Sequence, residues 1–173
     1  MTSELLDQAL VEEATKKSGL IWVRAAGTPA ARAMWHTWAD GSVFLVGDGT
    51  EQPLTGLADG GSAEVTVRSK DKGGRLVTWT ATVAELPTGS PEWDTAVAEL
   101  KGKRLNAPDG EAMTDRWARE CRVLRLRPTG TLSPLPADSL AEAPVPSPAT
   151  TRRPVPAGLP RLLGRRRKRE RSA

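Results

Sequence analysis

The sequence predicts a mainly β chain of the α+β class: a six-stranded antiparallel barrel with two or three helices, followed by a disordered C-terminal tail. Three observations carry this reading. Short runs rich in Val, Thr and Trp alternate with Gly- and Pro-containing breaks between Leu20 and Arg127. The pair Asp40-Gly41 joins two of these runs as a tight hairpin turn would. After Pro128 the composition changes: eight of the fourteen prolines lie in residues 129–173, without a periodic apolar pattern, so that segment cannot offset its ordering entropy by burial. The expected division is residues 1–128 as the barrel and 129–173 as a Pro-rich linker and basic tail.

The elements follow in order. A helix is expected from Glu4 to about Lys17, with Ser3 as N-cap, an apolar stripe of Leu6, Ala9, Leu10 and Ala14, and Gly19 as its stop. Leu20–Ala25 reads as the first strand and Gly27-Thr28-Pro29 breaks it. Arg32–Ala39 reads as the second strand, with Met34, His36 and Trp38 on one face and Ala33, Trp35 and Thr37 on the other. Ser42–Gly47 is apolar on both faces, as a strand within a covered sheet would be. A Gly- and Pro-rich connector runs from Asp48 to Gly61. Ala63–Ser69 alternates, with Val65 and Val67 inward; after a polar turn, Arg75–Leu86 forms the longest strand, with Val77, Trp79, Ala81 and Val83 on one face. Ser90 caps a second helix, Pro91 opens it, and Trp93, Ala96, Val97 and Leu100 form its buried stripe. A short third helix is expected from about Gly110 to Arg119, and Cys121–Arg127 as the closing strand, ended by Pro128. Closing the sheet removes exposed edges from strands that are apolar on both sides.

Charge separates the two parts. Residues 1–128 carry 16 basic and 18 acidic side chains, a net of −2; residues 129–173 carry nine and three, a net of +6; the whole chain is +4. Bulk charge therefore gives the barrel no affinity for nucleic acid. The run Arg165, Arg166, Arg167, Lys168, Arg169 reads either as a solvated chain end or as a sequence-blind contact to nucleic acid or an anionic surface. The sole cysteine, Cys121, excludes an internal disulfide and multi-cysteine zinc sites. The first residues lack a signal-peptide pattern and no segment approaches the roughly 20 apolar residues of a membrane span, so the expectation is a cytoplasmic, non-transmembrane protein.

Familiar chemical motifs fail on their spacing. Gly47-Asp48-Gly49 begins like a dinucleotide loop, but Gln52 takes the place of its third glycine. Gly56 to Gly61 has P-loop spacing, but Ser62-Ala63 follows where Lys and a hydroxyl residue are needed. Ser62 has Glu64 where a nucleophile elbow needs glycine and His36 is the one available base, which argues against a Ser-His-Asp enzyme; a single histidine and a single cysteine also leave most metal sites without partners. His36 itself reads as a hydrogen-bonded barrel histidine or as a contact to a ligand ring. Trp22, Trp79, Trp93 and Trp117 read as core; Trp35 and Trp38 lie nearer a pocket, where either could stack on a planar ligand.

Arg32 to Trp38, Asp40-Gly41, Val43 to Val46 and the ending Leu124-Arg125-Leu126-Arg127-Pro128 together resemble the pyridoxamine 5′-phosphate oxidase-like flavin-binding split barrels, over about Leu6 to Pro128. The resemblance implies a split β-barrel, an FMN or deazaflavin cofactor, a homodimer with the ligand at its interface, and an oxidoreductase role. It implies cofactor contacts from Arg32, Trp35, His36, Trp38, Gly47, Thr50 and Gln52. The family's phosphate loop has Ser or Thr followed two residues later by Lys or Arg; here Thr50 is followed by Glu51 and Gln52. The alternative is a cofactor-free barrel that works as a binding module, with the basic tail as its contact.

Overall fold

A computed structural model describes residues 2–70, 74–107 and 109–133, all within the first of two compact units of the chain. The run Arg165–Arg169 lies outside the described residues.

Helix α1 (Thr2–Lys17) leads into β1 (Ile21–Ala25), β2 (Arg32–Met34), β3 (Thr37–Ala39), β4 (Ser42–Gly47), β5 (Ser62–Arg68) and β6 (Arg75–Glu85). Helix α2 (Pro91–Lys103), a 3-10 turn (Gly110–Ala112), α3 (Met113–Glu120) and β7 (Arg122–Leu132) follow. The seven strands form one antiparallel sheet in the order β2-β1-β5-β6-β7-β4-β3.

That order holds the key to the shape. β2 and β3 are the opposite edges of the sheet, yet only Trp35 and His36 separate them in sequence. Met34 and Thr37 can be at most roughly 11 Å apart, so the sheet must curl until its edges meet. The predicted strand Arg32–Ala39 is thus two strands, and six become seven. The chain breaks at Trp35-His36 because it leaves one edge there and joins the other.

The curl encloses a core of Ile21, Val23, Val43, Leu45, Val65, Val67, Trp79, Leu124 and Leu126. Phe44, Val46 and Val123 face the other way, against Trp93, Val97 and Leu100 of α2 and Met113 and Trp117 of α3. β4 is therefore buried on both faces, as its unbroken apolar run predicts. Ser90 Oγ accepts from the Trp93 N–H at 3.2 Å, and Asp40 and Gly41 make the β3–β4 hairpin with φ of 47° and 66°.

Other expectations change in detail. α1 starts at Thr2, so Ser3 lies inside it rather than capping it. The helix packs on β3, β6 and β7 through Val11, Ala14 and Thr15; of the expected stripe only Ala14 reaches the core, while Ala9 is exposed and Leu6 and Leu10 are 66% and 47% exposed. Trp22 is half-buried on the outer face of the sheet, under the Arg68 guanidinium at 4.6 Å, rather than in the core. β7 runs through Pro128 to Leu132. Its pairing with β4 ends at Leu126, so Pro128 sits where only β6 pairs with it, and a register irregularity between Trp79 and Ala81 accommodates it. No helix among the described residues is long and apolar enough to cross a membrane, and none of their His, Cys, Asp and Glu side chains gather in threes to hold a metal.

Candidate functional site

The seam where the sheet edges meet opens onto a cleft of about 410 Å³. Its wall is the seam itself, Trp35 to Trp38; the last turn of α1 contributes Lys16, and the end of α2 contributes Lys103, Arg104 and Leu105. Two indoles and three cations thus line one cleft where two helices end. The lysines also offset the partial negative charge of those termini.

His36 is 6% exposed, and its Nε2 lies 3.0 Å from the Thr15 carbonyl oxygen. A carbonyl only accepts, so Nε2 carries the proton and Nδ1 holds the lone pair. Nδ1 has no partner among the described residues. Burial pulls the pKa of His36 below its ordinary value; the Thr15 bond opposes this and the nearby Lys103 charge adds to it. The ring is neutral at pH 7.

Trp35 and Trp38 point to opposite sides of the seam. Trp38 meets Trp79 edge to face at 6.3 Å, and Trp35 packs at 6.3 Å and 37° against Trp117. Arg104 lies 5.8 Å from the Trp35 ring centre.

Next to the seam, residues 48–52 form a closed loop. Asp48 N–H donates to the Gln52 carbonyl at 2.8 Å and Glu51 N–H to the Asp48 carbonyl at 2.9 Å. Gly47 is required here, because a Cβ would strike the Gln52 carbonyl oxygen and Leu54. The polar side chains of the loop are engaged within the chain. Thr50 Oγ1 accepts from Arg116 at 2.7 Å. The Glu51 carboxylate, 1% exposed, accepts from Arg104, Arg116 and Trp117 Nε1, each at 3.0 Å. Asp109 takes the rest of Arg116 at 2.6 Å, and that bond holds its carboxyl below the usual range. Burial would raise the pKa of Asp48, but the Leu54 N–H and Arg122 outweigh it. The Gln52 amide bonds the backbone of Trp35 on both sides and the Val46 carbonyl.

Of the residues named from the sequence, Trp35, His36 and Trp38 share the cleft. Gly47, Thr50 and Gln52 share the loop beside it. Arg32 is exposed on β2 and lines a separate groove with Thr55 and Leu57. Sequence reasoning did not find Lys16, Lys103, Arg104 or Arg116. Lys16 and Lys103 had one available signal, their place in the last turn of a helix; the ties of Arg104 and Arg116 to Glu51 had none, because they span 53 and 65 residues.

No family model matches the chain, and no curated protein matches it. The fold is similar to that of HutZ, the heme storage protein from Vibrio cholerae. The two share a TM-score of 0.53 at 13% identity over 71% of this chain and 90% of HutZ, which makes this a likeness of fold. An F420 reductase matches at 0.47, with 16% identity over 70% of this chain and 94% of its own. The FAD and heme binding protein from Mycobacterium smegmatis matches at 0.43, with 16% identity over 91% of each chain.

Proposed function

We propose that the seam cleft binds a planar anionic ligand of the flavin class, FMN or a deazaflavin coenzyme. The observation that carries this reading is the meeting of Trp35, His36 and Trp38 with Lys16, Lys103 and Arg104 in one cleft. Its volume falls in the range of small-ligand sites, about 300–1,000 Å³. The indoles supply faces for a ring system. The lysines supply charge for a phosphate, in place of the Thr50 and Gln52 side chains, whose polar atoms are engaged within the chain. Arg104 is already shared with Glu51, so the phosphate falls to Lys16 and Lys103, which form no ion pair among the described residues. When bound, a flavin would supply two-electron redox chemistry at its ring, and the chain would supply binding, orientation and exclusion of water. The oxidoreductase role and the homodimer belong to this proposal through the family resemblance.

Heme, named for HutZ, fits the site less well. The only histidine is nearly buried and its Nε2 is tied to Thr15.

Quenching of Trp fluorescence by FMN and by riboflavin, which lacks the phosphate, tests the reading. FMN is expected to bind at least tenfold tighter, and Lys16→Glu with Lys103→Glu to abolish that preference, because a charge-assisted hydrogen bond contributes about 1.5–3 kcal/mol. Equal binding of the two, or no quenching by any flavin, overturns it. One observation favours the cofactor-free reading: the Glu51 carboxylate already occupies the donors beside the loop that the resembling family uses for phosphate. A colourless protein whose melting point no flavin raises would make that reading the better one.

A further inference from the structure

We infer that Gln52 and Glu51 are positioning residues for the cleft: the loop that the resembling family uses to hold phosphate here holds the cleft's aromatic wall and its arginine. The ligand-binding part of this inference rests on the reading above; the structural part does not.

Trp35 lies between β2 and β3 and belongs to neither, so no strand ladder serves its backbone. The side-chain amide of Gln52 takes that place. Oε1 accepts from the Trp35 N–H at 2.9 Å, Nε2 donates to the Trp35 carbonyl at 2.9 Å, and Nε2 also donates to the Val46 carbonyl at 3.1 Å. The amide therefore acts as a surrogate peptide group, joining the seam to the end of β4. Only a primary amide offers an acceptor and two donors in one plane. Glutamate has no donor when ionised, and lysine has no acceptor.

Glu51 completes the arrangement. Trp35 is flanked by Arg104 and by Trp117, and the buried Glu51 carboxylate accepts hydrogen bonds from both. Two consecutive residues of one closed loop thus fix the backbone of Trp35 and the two groups packed around its ring. A lysine at position 52, the family's usual type of cation, would break this clasp. Gln52→Lys is accordingly expected to weaken binding in the cleft, not to strengthen it through added charge.

The test uses the full chain with Gln52→Lys, Gln52→Glu and Glu51→Gln, near-UV circular dichroism as the conformational readout, and FMN and riboflavin as probes. The three substitutions are expected to lower the near-UV Trp signal while the far-UV spectrum is kept. They are expected to raise the Kd for FMN about tenfold or more. In the two Gln52 variants the Kd for riboflavin should rise by the same factor, because Lys16 and Lys103 are untouched; loss of a phosphate contact would spare riboflavin. In the unmodified chain the Trp35 backbone N–H is expected to exchange with solvent as slowly as its strand neighbours, a measurement that needs no variant to fold. Fast exchange of that N–H, an unchanged near-UV signal in Gln52→Lys, or tighter FMN binding by Gln52→Lys overturns the inference. If the unmodified chain binds no flavin, the proposed ligand fails, and the exchange and near-UV results still decide the positioning role.

Discussion

The proton on His36 sits on Nε2, where Thr15 accepts it, so the ring enters the folded state neutral and buried. Its pKa in the fold is below the ordinary 6.5, chiefly through burial, with Lys103 adding to the effect. Lys16 and Arg104, which line the same cleft, add further positive charge. The unfolded chain binds the proton at about pH 6.5; the folded chain binds it only at lower pH. Below that point the unfolded state carries more protons, so stability should fall as pH drops from about 6.5 towards the folded pKa, with a slope of at most about 1.4 kcal/mol per unit. His36 is the only histidine, and the lowered carboxyl values of Asp48 and Asp109 act in a more acidic window. Denaturant unfolding between pH 7.5 and 5 should therefore show a slope that His36→Phe removes. An equal slope in both proteins would mean that His36 can take its proton without leaving the fold. At this scale much was legible. That Trp35 and Trp38 lie near a pocket was part of the sequence reading; the contacts expected of them and of His36 came from the family resemblance. The work of Gln52 could not be read, because hydrogen bonds to a backbone 17 residues away leave no local pattern.

Among the elements, strand and helix types followed from periodicity, while ends and edges depended on neighbours. β4 announced its double burial by having no polar residue between Val43 and Val46. The split of Arg32–Ala39 had no such mark, since Trp35 and His36 suit a strand as well as a seam. α1 shows the same limit: its inward face is chosen by the elements beneath it, β3, β6 and β7, and Thr15 is buried while Leu6 is not. β7 gives the clearest case. Pro128 cannot donate to a ladder, yet the strand continues, because Thr129 Oγ1 donates to the Thr80 carbonyl at 3.2 Å and Ser133 N–H to the Thr78 carbonyl at 2.9 Å. Leu132 packs against the inner core opposite Trp79. We propose that Thr129 to Ser133 contribute to the stability of the folded unit, which was expected to end at Pro128. A chain ending at Ser133 should melt within a degree or two of the full chain, and one ending at Pro128 several degrees lower. Equal midpoints for the two truncations would show that the last turn of β7 adds no stability.

For the whole molecule, the two kinds of positive charge should do separate work. Lys16, Lys103 and Arg104 are three cations at one cleft on a part of the chain whose net charge is −2. Such a site can hold a small dianion at close range, but the surrounding charge gives a long polyanion nothing to follow. The end of the chain is the reverse: Arg161 to Ala173 contains seven cationic side chains and one acidic one, with no patterned groups to recognise a particular sequence. We propose that any attraction to RNA, DNA or anionic lipid resides there, in Arg165, Arg166, Arg167, Lys168 and Arg169 above all. Each cation that neutralises a phosphate releases a counterion, so log K should fall with log salt by about 0.7 to 0.9 per contact. Removing Arg161 to Ala173 should therefore abolish most of the salt dependence and most of the binding to a mixed-sequence oligonucleotide, while leaving the Kd for FMN unchanged. Lys16→Glu with Lys103→Glu should do the opposite. An oligonucleotide that binds the shortened chain as tightly as the full one, or loses affinity when the cleft lysines are reversed, would place polyanion binding on the barrel and join the two charge systems that the sequence keeps apart.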